Sequence, residues 1–172
     1  LVKTFKEAIT SDPHWNAGIY ADQSAVQQGL RRHANAFAAS GFSAKLFSSE
    51  GWRPIGFTSA EDFLINFVEG YFLPMDPNNL LLMLNKWQHG DVTRGTGTNL
   101  EAALAKISAR VAVIAIEEDV FFPLADIAAE QRMIQKSELK VVSSDWGHLA
   151  LFGVDAGYNS AIDTHLNQLL ST

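Results

Sequence analysis

The last third of the sequence contains an acid and a histidine whose positions suit proton transfer. Asp119 follows an apolar, β-prone run over 111–116, and His148 follows a second β-prone run over 140–143. In parallel sheets, residues just after the carboxyl ends of neighbouring strands lie side by side at one edge. A carboxylate placed there holds an imidazole in one tautomer and stabilises the imidazolium formed during general-base catalysis. The sequence therefore predicts a catalytic pair formed by Asp119 and His148.

Two further acids, Glu117 and Glu118, precede Asp119 and are alternatives for its role. Neighbouring side chains on an extended segment point in opposite directions, so at most one of them faces the site together with Asp119. The remaining histidines lack both a position after a strand and the spacing to carboxylates that a metal site needs. They are His14, His33, His89 and His165. We therefore predict no metal site.

A hydroxyl nucleophile for this pair is missing from the sequence. The order acid then histidine is that of α/β-hydrolases, whose serine comes first, on a G-x-S-x-G turn. The nearest match, 41–45 (GFSAK), lacks the second glycine and follows a helical segment rather than a strand. Ser43 is therefore not expected to act as the nucleophile, and the serine is expected outside this chain.

The residues around the pair predict alternating strands and helices. The run over 111–116 is apolar without alternation, as expected of a strand covered on both faces in a parallel sheet. Pro123 begins a helix that extends to about residue 136, 140–143 form the second strand, and 161–170 form a closing helix. This order predicts an α/β fold with a right-handed crossover. Two strands alone leave unpaired edges, so further strands are expected from elsewhere in the protein.

The residues before about 108 predict mainly helices. Phe63, Phe67 and Tyr71 recur at every fourth position, which predicts one buried face of a helix. Helical segments are expected over 5–11 and 24–39 and after the capping residues Ser59, Asp76 and Asn99, with a loop over 40–57.

Five stretches give the sequence a specific family resemblance. They are 12–20 (DPHWNAGIY), 76–80 (DPNNL), 87–91 (WQHGD), 118–123 (EDVFFP) and 147–148 (GH). In this order they resemble the C-terminal half of the homoserine O-acetyltransferase family and the related α/β-hydrolases. The resemblance implies the C-terminal part of an α/β-hydrolase fold, in which lid helices are followed by the last two parallel strands and their helices. It further implies that Asp119 is the acid and His148 the base of a Ser-His-Asp triad.

The resemblance also implies an organisation and a reaction. Residues 1–22 would end the first core segment, 23–108 would form the helical lid region, and 109–172 would form the C-terminal core segment with the acid and the histidine. Acyl groups would pass from a thioester such as acetyl-CoA to an alcohol such as homoserine through an acyl-serine, a step of methionine biosynthesis. No cofactor is expected beyond this acyl-CoA co-substrate. The implied partners are a small-molecule substrate, the N-terminal part of the protein or a companion chain with the serine, and a second copy bound through the lid helices.

The sequence departs from the acetyltransferase pattern at two places. An acid commonly follows the catalytic histidine in that family, whereas Leu149 follows His148 here. The arginine-bearing segment of the family is also not recognisable near 37–45. A serine ester hydrolase on the same fold is therefore an alternative. A non-catalytic fragment or subunit, which binds a partner and is inactive alone, is a further one.

Composition limits the other classes of function. The net charge is −6 and the 13 Lys and Arg residues are scattered, which argues against nucleic-acid binding. The longest apolar runs are far shorter than the roughly 20 residues of a membrane-spanning helix, so no membrane partner is expected. The absence of cysteine excludes disulfides, thiolate metal sites and a cysteine nucleophile. We expect a cytoplasmic protein.

Overall fold

The chain forms two compact units. The helical unit consists of Leu1–Ser40 and Trp52–Gly90. The strand unit consists of Gly41–Gly51 and the chain from Asp91 onward. The segment Gly41–Gly51 therefore interrupts the helical unit in sequence but belongs to the strand unit.

The structure is a computed structural model that describes residues 1–171, with Gln23 through its backbone alone. Thr172, the last residue of the predicted segment 109–172, lies outside the described residues. The predicted segment boundaries after residues 22 and 108 stay a prediction. Within 1–171, none of the helices has the length and apolar character that crossing a lipid bilayer requires.

Over residues 1–171 the secondary structure is mainly helical, with one parallel pair of strands. In chain order the elements are α1 (Val2–Thr10), α2 (Gln27–Gly41), α3 (Ala44–Ser48), α4 (Ala60–Phe63), a π-helix (Leu64–Glu69), α5 (Gly70–Phe72), α6 (Pro77–His89), α7 (Leu100–Leu104), β1 (Val111–Ile116), α8 (Leu124–Gln131), β2 (Ser137–Val142) and α9 (Ala156–Leu170). Short 3₁₀ helices lie at Asn16–Gly18, Gln23–Val26, Arg53–Ile55 and Gly147–Phe152.

Capping side chains determine where several helices begin. The side chains of Ser59 and Asp76 accept hydrogen bonds from the backbone N–H groups of Asp62 and Asn79, at 3.0 and 2.9 Å. Such a bond satisfies one of the N–H groups that the first turn of a helix leaves without a partner. The helix starts predicted at Ser59 and Asp76 are confirmed, and Asn99 caps α7 in the same way.

The predicted buried face of Phe63, Phe67 and Tyr71 is present at its first two residues and lost at the third. Phe63 is buried and Phe67 is half-buried, but Tyr71 is 48% exposed, and the next buried apolar residues are Val68 and Phe72. The reason is the π-helix Leu64–Glu69, in which each turn contains an additional residue. The buried face therefore moves by one position along the sequence, and a pattern of fourth residues no longer follows it.

An aromatic cluster surrounds a buried histidine in the helical unit. His33 is 2% exposed, and its ring lies 4.8 Å from that of Phe72 and 5.3 Å from that of Phe5. Its Nδ1 is 3.4 Å from the carbonyl oxygen of Phe5. Burial among uncharged rings lowers the pKa of His33, because the charged imidazolium loses its hydration there.

The start of α2 packs closely on the end of α1. The carboxylate of Asp12 accepts hydrogen bonds from the backbone N–H groups of Gly29, at 2.7 Å, and His14, at 2.9 Å. A Cβ atom at Gly29 would lie 2.9 Å from the carbonyl oxygen of Ile9 and 3.0 Å from Cβ of Asp12. The contact between the two helices therefore requires glycine at position 29.

In the strand unit, β1 and β2 pair in parallel, and α8 joins them and packs on both. The register runs from Val111 opposite Ser137 to Ile116 opposite Val142, so both strands end at the same level. This arrangement confirms the predicted α/β class. Among residues 1–171 the sheet has these two strands, and the first four residues of β1 are half-buried rather than covered on both faces as predicted.

Ser137 lies where the predicted helix after Pro123 and the predicted second strand both change their bounds. The helix predicted from Pro123 to about 136 ends at Gln131, where the Ser137 hydroxyl donates to the Gln131 carbonyl oxygen at 2.9 Å. The second strand, predicted over 140–143, begins at Ser137, because pairing with β1 extends it over polar residues. Tertiary pairing thus outweighs the local β propensity.

Two more corrections follow from caps that the sequence interpretation missed. The predicted loop 40–57 contains α3, since the Ser43 hydroxyl accepts from the Leu46 N–H group at 3.2 Å. The closing helix, predicted from 161, begins at Ala156, because the Asp155 side chain accepts from the N–H groups of Gly157 and Tyr158.

We expect Gly29→Ala to lower the free energy of unfolding by about 1–3 kcal/mol, because the new methyl group overlaps backbone atoms. The urea midpoint of the complete protein measures this change. Gly70→Ala is the matched control, since Gly70 has helical φ and ψ angles and a Cβ atom there would lie 3.8 Å from its nearest neighbour. It is expected to be neutral or stabilising by up to about 1 kcal/mol. Equal effects of the two substitutions would contradict the close packing at Gly29.

The lowered pKa of His33 predicts a pH dependence of stability. At pH values above the ordinary histidine pKa of 6.5, His33 is neutral in both the folded and the unfolded protein, so its burial as a neutral ring costs no stability through proton binding. As the pH falls below that value, the unfolded state takes up a proton that the folded state does not, so stability decreases. His33→Gln should therefore show a smaller loss of unfolding free energy between about pH 7.5 and about pH 5.5 than the unmodified protein. His89→Gln, which replaces an exposed histidine, is the matched control, and an equal reduction of the loss in both variants would contradict the role of His33.

Candidate active site

The end of β1 brings Asp119 into a tight turn. The N–H group of Asp119 donates to the carbonyl oxygen of Ile116 at 3.2 Å, so the chain turns directly after the strand. One carboxylate oxygen, Oδ1, accepts from the N–H groups of Phe121, at 2.7 Å, and Phe122, at 3.1 Å. The side chain is 5% exposed. The backbone of the turn therefore fixes the acid from one side.

His148 lies after β2, at the beginning of the 3₁₀ helix Gly147–Phe152. Its Nδ1 is 2.9 Å from Oδ2 of Asp119, which is the carboxylate oxygen that the turn leaves open. A carboxylate oxygen accepts hydrogen bonds, so Nδ1 carries a proton, and in the neutral imidazole Nε2 has the lone pair that accepts one. The structure thus brings together the two residues that the sequence placed at neighbouring strand ends.

The two phenylalanines of the turn also contact the imidazole. The ring of His148 lies 4.7 Å from that of Phe121 and 5.5 Å from that of Phe122, with inclined planes. Its side chain is 18% exposed. One short segment therefore supplies the acid, the donors that hold it and the apolar surface on which the histidine rests.

Gly147 allows the backbone before the histidine to approach two other segments. Its φ is +55°, and a Cβ atom there would lie 3.0 Å from the Gly41 carbonyl oxygen, 3.1 Å from the Ser43 nitrogen and 3.3 Å from the Glu118 carbonyl oxygen. All three neighbours are backbone atoms, which cannot move aside as a flexible side chain can. The position of His148 therefore depends on glycine at 147.

Glu117 and Glu118 differ in what they contact. Glu117 is exposed, whereas the carboxylate of Glu118 accepts from the Ser143 hydroxyl and, at 2.7 Å, from the Ser144 N–H group. Neither side chain hydrogen-bonds the imidazole of His148, and of the three neighbouring acids it is Asp119 that does so.

Ser43 has a structural position. Its hydroxyl donates to the carbonyl oxygen of Asp145 and caps α3, and Lys45 forms an ion pair with the Asp145 carboxylate at 2.6 Å. The segment Gly41–Gly51 is thereby attached to the loop that leads to His148. The sequence interpretation missed this attachment, although the serine followed by a helical run (AKLFS) is a capping signal that could have indicated α3.

Tyr158, in the first turn of α9, is a further neighbour of the acid that the sequence interpretation missed. It is 8% exposed, and its pKa is raised by burial and by the nearby charge of Asp119. Its phenol therefore stays protonated over a wide pH range. Among residues 1–171, no group of three or more metal-binding side chains occurs.

The chain is similar to ester hydrolases over nearly its whole length. It is 46% identical over 166 residues to an ethyl acetate hydrolase of Pseudomonas veronii, which covers 96% of this chain and 48% of that protein. A crystal structure of an acetylester hydrolase from Corynebacterium glutamicum matches with a TM-score of 0.96 at 44% identity, over 99% of this chain and 49% of that one. The chain therefore has the fold of the C-terminal part of an α/β-hydrolase.

Within the α/β-hydrolases, more distant relatives are homoserine O-acetyltransferases. That of Pasteurella multocida is 27% identical over 168 residues, which cover 89% of this chain and 45% of that protein. The predicted resemblance is therefore confirmed, with the ester hydrolases as the more similar group. No protein-family model matches the chain. The chain spans about half the length of the curated relatives it matches.

Gly147→Ala tests how this α/β-hydrolase segment holds its histidine. The added methyl group overlaps three backbone atoms, so we expect a loss of about 1–3 kcal/mol in unfolding free energy. We also expect a displaced His148 ring, visible as changed chemical shifts of its imidazole protons. Gly153→Ala is the control, because it also has a positive φ but its nearest side-chain atoms lie 3.9 Å away. An unchanged imidazole spectrum in Gly147→Ala would contradict the role given to position 147.

Proposed function

We propose that this chain supplies the acid and the general base of a serine ester hydrolase that cleaves short-chain esters such as acetates. The observation that carries the proposal is the hydrogen bond between Nδ1 of His148 and the buried carboxylate of Asp119. It leaves Nε2 as the proton acceptor, which is the arrangement that activates a serine hydroxyl in Ser-His-Asp enzymes. The nucleophilic serine and the donors of the oxyanion hole would be contributed by residues outside this chain.

Each step of the proposed reaction transfers one proton through Nε2 of His148. The serine oxygen attacks the ester carbonyl carbon while the imidazole takes the hydroxyl proton. The carbon–oxygen bond to the alcohol then breaks, and the imidazolium returns the proton to the departing alcohol. A water molecule next attacks the acyl-serine, giving its proton to the imidazole, and the acid is released as the serine is reprotonated. Asp119 stabilises the imidazolium in both halves of the reaction.

Two observations favour water over a second alcohol as the acyl acceptor. The ester hydrolases are 44–46% identical to this chain, whereas the homoserine O-acetyltransferase of Pasteurella multocida is 27% identical. The residue after His148 is Leu149, which is 4% exposed, where the acetyltransferase pattern has an acid. A buried leucine offers no hydrogen bond to a polar acceptor such as homoserine.

The proposal predicts that the complete protein hydrolyses p-nitrophenyl acetate and that the pair is essential. We expect His148→Ala and Asp119→Asn each to lower kcat by about 1,000-fold or more, because the serine loses its base or the base loses its orientation. The chain 1–172 alone is expected to be inactive. Release of p-nitrophenol, followed in a spectrophotometer, measures all three.

Matched controls are His89→Gln and Glu117→Gln, which change an exposed histidine and the acid two residues before Asp119. Both should retain kcat within about twofold, as is usual for surface substitutions. Turnover that requires acetyl-CoA together with homoserine, and is absent with the ester and water, would favour the acetyltransferase instead. Full activity of His148→Ala would rule out the proposed role of the pair in either reaction.

A further inference from the structure

The backbone ladder between β1 and β2 ends before it reaches the two residues of the pair. Its last bond runs from the N–H group of Glu117 to the carbonyl oxygen of Val142 at 3.0 Å. Asp119 and His148 lie beyond this bond, on two loops that leave the sheet. A donor and an acceptor about 3.6 Å apart no longer form a hydrogen bond, so a separation of the two loops by less than about 1 Å would break the 2.9 Å bond of the pair. The loops therefore need a further connection.

Glu118 makes such a connection. Its two carboxylate oxygens accept from the hydroxyl of Ser143 and, at 2.7 Å, from the backbone N–H group of Ser144. Both donors lie on the loop that leads from β2 to His148. The side chain of Glu118 therefore continues the pairing of the two strands past the point where their backbones separate.

The loop that Glu118 holds is anchored on its other side as well. The hydroxyl of Ser144 donates to Oδ2 of Asp155 at 2.5 Å and accepts from the N–H group of Trp146 at 3.2 Å. Asp155 is the N-cap of α9. The connection therefore runs from the residue before the acid, through one serine, to the beginning of the last helix.

We propose that Glu118 is a positioning residue that sets the distance between Asp119 and His148, a proposal that rests on the proposed function of this pair. Glu118 is the residue directly before the acid, so any shift of its backbone is passed to Asp119. Its carboxylate binds the loop that leads to His148. Glu118 therefore holds Asp119 and His148 relative to each other without forming a hydrogen bond to the imidazole.

A carboxylate suits this position better than an amide. It offers two acceptor oxygens to the two donors, whereas glutamine offers one. Its negative charge also acts on Lys45, whose pKa is raised by its hydrogen bond to Asp145 and by the charges of Asp145 and Glu118. Lys45 lies on α3, and its ion pair with Asp145 at 2.6 Å joins that helix to the same loop.

The test compares Glu118→Ala and Glu118→Gln with Glu117→Ala and Glu117→Gln in the complete protein. Glu117 is the matched control, since it is the same acid one position earlier with an exposed side chain. We expect Glu118→Ala to lower kcat by about 10- to 100-fold with KM within about twofold, since small displacements of reacting groups have effects of this size. Glu118→Gln should lose less, because it retains one acceptor, and both Glu117 variants should lose nothing.

A second measurement reports the geometry itself. The proton on Nδ1 of His148 gives a downfield nuclear magnetic resonance signal when it is shared with a carboxylate, and Glu118→Ala should move or broaden this signal. Ser143→Ala removes one of the two bonds without altering the carboxylate, so its effect on kcat should be intermediate. A protein that is merely less stable would show a lower melting temperature with an unchanged signal below it.

The two proposals fail in different ways. If Glu118→Ala keeps the kcat and the imidazole signal of the unmodified enzyme while His148→Ala is inactive, the role of Glu118 is wrong and the proposed function stands. If the unmodified protein does not hydrolyse esters, the proposed function is wrong, and the imidazole signal still decides whether Glu118 sets the distance in the pair.

Discussion

Ile116 and Val142 are partners at the end of the parallel ladder, and this register determines where the acid and the histidine lie. A slip of one residue would move one strand end by about 3.3 Å and would turn its side chains to the opposite face of the sheet. The hydrogen bond between Asp119 and His148 spans 2.9 Å, so such a slip would separate them. The hydrogen bond between Asp119 and His148 therefore requires the observed register, in which Ile116 of β1 lies opposite Val142 of β2.

Beyond the ladder, the site depends on contacts made by backbone atoms. The N–H groups of Phe121 and Phe122 hold one oxygen of Asp119, and the turn before His148 passes close to three backbone atoms at Gly147. Such contacts require few particular side chains. Side chains also take part, among them those of Glu118 and Ser43, which join this loop to two other segments through a carboxylate and a hydroxyl.

The sequence predicted the parts of this structure that follow from local rules. The continuous apolar run of β1 and the capping residues Ser59, Asp76 and Asn99 were sufficient to locate a strand and three helix starts. The position of acids and a histidine after strands was sufficient to place Asp119 and His148 together. A pair at neighbouring strand ends is predictable because parallel pairing brings those ends to one edge.

The features that the sequence did not predict depend on tertiary contacts. The π-helix Leu64–Glu69 changes the helical period within six residues, and no residue type marks that change. The first half of β2 contains Ser137 and Glu138, which adopt a strand conformation because β1 is available for pairing. The contacts of Glu118 and Ser43 join residues 26 and 102 positions apart, which a local pattern does not reveal.

The two carboxylate oxygens of Asp119 bind different partners, Oδ1 the backbone of the turn and Oδ2 the imidazole, and this affects the dynamics of the pair. A carboxylate that is free to rotate can exchange the positions of its two oxygens. Its hydrogen bond to the imidazole must then re-form whenever the imidazole gains or loses charge. In this protein the backbone N–H groups of Phe121 and Phe122 hold Oδ1. Rotation of the carboxylate would break both of these bonds before Oδ2 could move away from Nδ1 of His148. The acid therefore stays aligned through changes in the protonation of its neighbour, and the conformational entropy of that alignment is lost once, during folding, rather than each time a proton moves.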